Sequence, residues 1–138
     1  MPKIYEPTSE MARIAEDVLE LRKTLPPSRR AGTPTGVARA RDLKNRRKLD
    51  LSTVWRMRQF FRRHGSAPGS ARARQDRTSK AAQAWALWGG NPGREFAEAI
   101  VREVEERAAS LEAQAERYPE RREELLKEAS RLLREMRK

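Results

Sequence analysis

Cysteine is absent from this chain of 138 residues, which excludes disulfide staples, thiolate metal sites and cysteine nucleophiles together. Histidine occurs once, as His64. A single imidazole cannot build a His-rich metal site. With no carboxylate at a useful spacing, it reads as a helix-terminal residue favoured by the dipole when charged, rather than as a general base. No apolar run approaches the roughly 18 to 20 residues of a membrane-spanning helix, and Met1 to Glu10 lack the apolar centre of a signal peptide. Also missing is the strict alternation of apolar and polar residues that a half-buried strand requires. There is no Gly-rich phosphate loop, His-Glu metal helix or nucleophile elbow, and Asp42, Asp50 and Asp76 are too scattered for a two-metal site. The sequence thus predicts an all-α protein that is not an enzyme, needs no cofactor or metal, does not enter membranes and resides in a reducing cytoplasm.

Charge, by contrast, is abundant: charged residues make up 37% of the chain, against about 25% in an average globular protein. Residues 1–21 hold two basic and five acidic groups, 22–80 hold eighteen and three, and 81–138 hold eleven and twelve, so the middle block carries the whole excess of the +11 net charge. A focused positive block concentrates a polyanion near the protein, whereas dispersed charge mainly confers solubility. Most of these cations are arginine, suited to bidentate phosphate contact and base stacking, although an arginine preference also accompanies a thermophilic or GC-rich source.

Helical periods run through most of the chain. Met11, Ile14, Ala15, Val18, Leu21 and Leu25 define a helix over 9–24 that stops before Pro26-Pro27. After a basic loop, Thr33-Pro34 supplies a cap oxygen and a first-turn proline for a helix that turns Val37, Ala40 and Leu43 inward. Asp50 caps a third helix, 51–63, with Leu51, Val54, Met57 and Phe61 as its core stripe. Residues 65–77, GSAPGSARARQDR, lack any apolar period and predict a flexible basic loop. Thr78 or Ser79 then opens a short helix carrying Ala81, Ala84, Trp85 and Trp88, closed by Gly89-Gly90. Residues 1–90 therefore predict a compact basic bundle, and 91–138 a helical arm made of helices 92–118 and 119–137. Its apolar positions, from Val104 through Tyr118 and Leu125 to Met136, keep a heptad register across Pro119, which fits either self-association as a coiled coil or an internal hairpin. The pairs Glu98/Arg102, Glu103/Arg107 and Glu123/Lys127 are spaced for support along the helix surface.

The helices at 34–44 and 51–63 form a candidate helix-turn-helix. With Val54, Met57 and Phe61 inward, the opposite face of the third helix presents Ser52, Arg56, Gln59 and Arg63, types that suit base edges in a groove. Arg46, Arg47 and Lys48 in the turn, with Arg58 and Arg62 flanking, are candidate phosphate contacts, and Arg72, Arg74 and Arg77 of the basic loop join them. A solvated arginine face is the plainer reading of the same residues. Trp85 and Trp88 read as core, while Trp55 borders the polar face, where an aromatic ring can stack on unpaired bases.

Three strings, GVARARDLKN at 36–45, TVWRMRQFFRRH at 53–64 and AWALWGGNPGREFA at 84–97, resemble a small module found among uncharacterised proteins of tailed bacteriophages, over roughly residues 10–97. Asp50 stands where such modules tend to have Ser, and the 65–77 segment is Arg-rich where they tend to be acidic and to contain Lys. The resemblance implies a viral context, genome handling or particle assembly, in the host cytoplasm or the virion, and supplies no functional residue. The leading expectation is a DNA-binding accessory protein, DNA being favoured over RNA. The rival is a virion-assembly or host-protein-binding factor that sets its basic face against an acidic protein surface.

Overall fold

The computed structural model describes residues 3–138, which form an all-α fold with one minimal sheet. The helices are α1 (Ser9–Thr24), α2 (Pro34–Lys44), α3 (Leu51–Gly65), the single turn α4 (Ser70–Ala73), α5 (Lys80–Leu87), α6 (Gly90–Arg117) and α7 (Arg122–Met136). Local chemistry sets their starts. The side chains of Thr8, Thr33, Asp50 and Ser79 each accept a hydrogen bond from the first turn of the helix that follows, satisfying amides that have no partner within the helix.

The sheet was not predicted. Strand β1 (Ile4–Tyr5) pairs antiparallel with β2 (Leu49–Asp50), Ile4 opposite Asp50 and Tyr5 opposite Leu49. Two residues per strand are too few to display an alternation. The pairing nevertheless fixes the N-terminal segment to the entry of α3.

The principal core brings together Met11, Ala15 and Val18 of α1, Ala40 and Leu43 of α2, Val54 and Met57 of α3, and Leu87 of α5. Ala97 and Val101 of α6 and Met136 of α7 belong to the same cluster. Full burial of each large apolar side chain contributes about 1.5 to 3 kcal/mol, which the ordering of the chain largely offsets. Residues of 91–138 thus complete the core of 1–90, and the part of α6 that projects beyond it begins after Val104. Entry to α6 depends on glycine: Gly89 and Gly90 have φ of 101° and 64°, and a Cβ on Gly93 would collide with the Trp88 carbonyl.

Pro119 ends the long helix as predicted. A 3-10 turn, Pro119–Arg121, reverses the chain, and α7 packs back along α6. Ala108, Leu111 and Ala115 meet Leu125 and Ala129 in a second cluster. The heptad seam is therefore filled by the chain's own hairpin, and the apolar face on which self-association through 92–138 was expected is occupied from within.

Candidate nucleic-acid interface

Helices α2 and α3 follow the order of a helix-turn-helix without its packing. The first lies on α1 and α5, the second on α6 and α7, and they make little direct contact. Val54, Met57, Phe60 and Phe61 of α3 are buried. Phe60 is the addition to the expected stripe; it stacks on Trp88 at 4.8 Å and packs beside Phe61 and Trp85. Ser52, Arg58 and Gln59 are half-buried, leaving Arg56, Arg62, Arg63, His64 and Gly65 exposed. The helix is covered along one side by α6 and α7 and open along its last turn.

Two of its arginines are neutralised. Arg62 makes a two-pronged contact with Glu98, Nε donating to Oε1 at 3.0 Å and Nη2 to Oε2 at 3.2 Å. These bonds hold the Glu98 carboxyl below its usual range. Arg58, only 11% exposed, lies 3.9 Å from Glu98 and 3.4 Å from Glu105, and donates to Gln59 Oε1 at 3.0 Å. The charges of Arg58 and Arg62 are thus both met by carboxylates of α6. The sequence had set Glu98 against Arg102 and Glu103 against Arg107, but Glu103 meets Lys3 at 3.5 Å, and of the three predicted pairs only Glu123–Lys127 forms, at 3.1 Å. Contacts between α3 and α6 are invisible to a spacing rule confined to one helix.

The turn after α2 is engaged elsewhere too. Arg46, at φ 49°, donates from Nε to the Pro7 carbonyl at 2.9 Å and sits 3.7 Å from Glu6, while Arg47 lies 3.7 Å from Asp42. Lys48 is exposed. This turn stands at the far end of α2 from Thr33, about 16 Å away by helical rise. Ser52 donates to Asp50 Oδ1 at 3.1 Å, and the Asp50 carboxyl is lowered chiefly by its hydrogen bonds with Thr53. Of the face predicted on α3, Arg56, Gln59 and Arg63 share a groove of about 300 Å³ with Thr33 and Thr35 at the start of α2, its apolar flank formed by Phe60 and Trp88. Arg56 donates to the Lys138 carbonyl at 2.7 Å. Among the described residues the Arg63 guanidinium has no partner.

The segment 65–77 is folded onto the bundle, contrary to the unanchored loop expected. Arg74 lies over the Trp85 ring at 3.8 Å and bonds to Ser70, the Ser70 hydroxyl donates to the His64 carbonyl at 2.6 Å, and Ser79 donates to the Ala73 carbonyl at 2.7 Å. These anchors are a cation on a ring and hydroxyls on backbone, which leave no apolar period. Arg74 is thereby committed to Trp85, while Arg72 and Arg77 point to solvent.

Gln83 was missed altogether. Fully buried, it accepts from the Ala31 amide at 2.9 Å and donates to the carbonyls of Arg29 and Thr78 at 3.0 and 2.8 Å. It clamps the basic 28–32 loop to the end of the basic 65–77 segment, and Arg29 also reaches Thr78 Oγ1 at 3.4 Å. A lone amide in the run AAQAWALW, four residues before buried Leu87, was the signal available.

Trp85 is core, as expected, with Nε1 donating to Asn91 Oδ1 at 2.9 Å, and Trp55 packs half-buried against the principal core. The His64 ring is tilted by 37° against Phe60 with centroids 4.4 Å apart; this partial covering, then Arg63 beside it, lowers its pKa. Among the described residues no group of three or more His, Asp or Glu could hold a metal ion, and no helix is long and apolar enough to cross a membrane. No protein-family model, curated protein or solved structure matches the chain.

Proposed function

We propose that this protein is a non-enzymatic DNA-binding accessory factor, acting in genome handling of a tailed phage as the sequence resemblance implies. Its interface runs from the groove beside α3 to the basic end of the molecule formed by the 28–32 and 65–77 segments. One observation carries the reading: two basic segments some forty residues apart in sequence are clamped together by Gln83, while the neutralised cations, Arg58 and Arg62, lie on the flank facing α6. The clamp thereby brings the loop holding exposed Arg29 and Arg30 against the end of the segment holding exposed Arg72 and Arg77, and the Ser70–His64 bond ties that segment to the end of α3 beside Arg63. Clustering like charges is unfavourable for the folded chain alone and favourable when a polyanion neutralises them.

Fluorescence anisotropy of labelled DNA tests this. Replacing Arg63, Arg72 and Arg77 together with Glu should weaken binding by more than about tenfold at physiological salt. The same number of reversals on the exposed side of α7 should have a far smaller effect. Equal losses from the two sets would remove the proposed interface.

A further inference from the structure

Resting on that reading, we infer that the groove between the start of α2 and the second half of α3 takes single-stranded DNA, seating an unpaired base, rather than reading a duplex. Three observations converge. A helix that reads duplex DNA must enter a major groove about 12 Å wide, and α3 has α6 and α7 packed along one side and Phe60 and Phe61 turned into the aromatic cluster. What lies beside it is a concavity of about 300 Å³, at the small end of the range for pockets that enclose a ligand.

The chemistry of this concavity also suits a nucleotide. Phe60 and Trp88 form one apolar flank, the Gln59 Nε2 can donate to a base edge while its Oε1 accepts from Arg58, and the free guanidinium of Arg63 lines the groove for a phosphate. Aromatic surface for the base with cations for the backbone is the combination that single-strand binders use. Beside Arg63, the Ser70 hydroxyl on the His64 carbonyl ties the end of α3 to the 65–77 segment, whose exposed Arg72 and Arg77 offer the strand further phosphate contacts beyond the groove. A paired base, its edge already bonded and its faces stacked, cannot enter.

The test uses the whole protein, an oligothymidylate of about twelve nucleotides, within the span of known single-strand sites, and a hairpin duplex as competitor. The single strand should win by about tenfold or more and quench tryptophan emission as a base meets Trp88. Gln59→Glu and Arg63→Glu should each lower single-strand affinity by about tenfold, while the charge-matched control Arg131→Glu, on exposed α7 surface, should lower it by less than about threefold. Circular dichroism confirms that each variant is folded. Should Gln59→Glu unfold the chain, Thr35→Glu places the same charge at the groove from the helix α2 side. Duplex binding equal to or tighter than single-strand binding, or equal losses in groove and control variants, overturns the groove while leaving DNA binding in place. Failure to bind either form overturns both.

Discussion

Gln83 and Arg58 are the residues whose environment departs most from their type. Gln83→Ala would strand the Ala31 amide and the carbonyls of Arg29 and Thr78. Leaving buried partners unsatisfied costs about 1 to 3 kcal/mol for each group, less where water enters. A loss of about 3 kcal/mol is expected in urea denaturation, together with faster proteolysis at 28–32 as the clamp opens. Arg58 and Arg62 share Glu98 but differ in burial. Truncating Arg58 leaves two carboxylates facing a partly buried void, so Arg58→Ala should cost clearly more than Arg62→Ala, whose exposed pair is worth about 0 to 1 kcal/mol. Neither should change DNA affinity appreciably, and a large drop on Arg62→Ala would show that its pairing with Glu98 gives way to phosphate.

His64 and the carboxylates that hydrogen bonds hold low, Glu98 with Asp50 and Asp76, set the acid dependence. Burial holds the His64 pKa below the ordinary 6.5, so the unfolded chain binds that proton more tightly. Its contribution is present above about pH 6.5 and is lost as pH falls through the lower folded value. Glu98, lowered by Arg62 from 4.5, likewise contributes above that value and loses its contribution below it. The urea midpoint should therefore decline in two stages on acidification. His64→Gln should abolish the first and spare the second; an unchanged first stage would assign it to another group.

At the scale of elements, the hairpin of α6 and α7 decides how the C-terminal half behaves. Leu125 is 1% exposed against Ala108, Leu111 and Ala115 of the same chain, so Leu125→Ala should cost about 3 kcal/mol. Because that seam is internal, sedimentation equilibrium should give the mass of one chain for both proteins. A concentration-dependent dimer that Leu125→Ala dissociates would instead place the seam between molecules.

Most helices were legible because they write their own period and a cap or stop: Thr33-Pro34, Asp50, Ser79 and Pro119 all act where the sequence placed them, whereas the single turn α4 carries no such period. What the sequence did not reveal lies between elements. The Glu98 contacts with α3, the packing of α2 and α3 on different neighbours, and the bonds from Gln83 to the 28–32 loop all join residues of different elements. Local patterning carries no record of such pairs. Three of the four residues predicted on the open face of α3 do stand together, because that grouping lies within one helix. The helical repeat correctly grouped Arg56, Gln59 and Arg63, but could not reveal that Thr33, Thr35 and Trp88 wall them into a groove.

Over the whole molecule, charge is sorted rather than balanced. Carboxylates of α6 neutralise the inner arginines of α3, Glu6 and Asp42 attend the turn at 46–47, and Gln83 holds the basic 28–32 loop against the end of the basic 65–77 segment. This sorting underlies the proposed function, and counterion release reports on it directly. The decisive measurement is single-strand DNA affinity across a range of salt concentrations. With four or five phosphates engaged, the logarithm of affinity should fall against the logarithm of salt with a slope of about −3, and Arg63→Glu combined with Arg72→Glu should reduce its magnitude by about one. A slope near zero, or one that these substitutions leave unchanged, would contradict the account and favour an acidic protein surface recognised by shape.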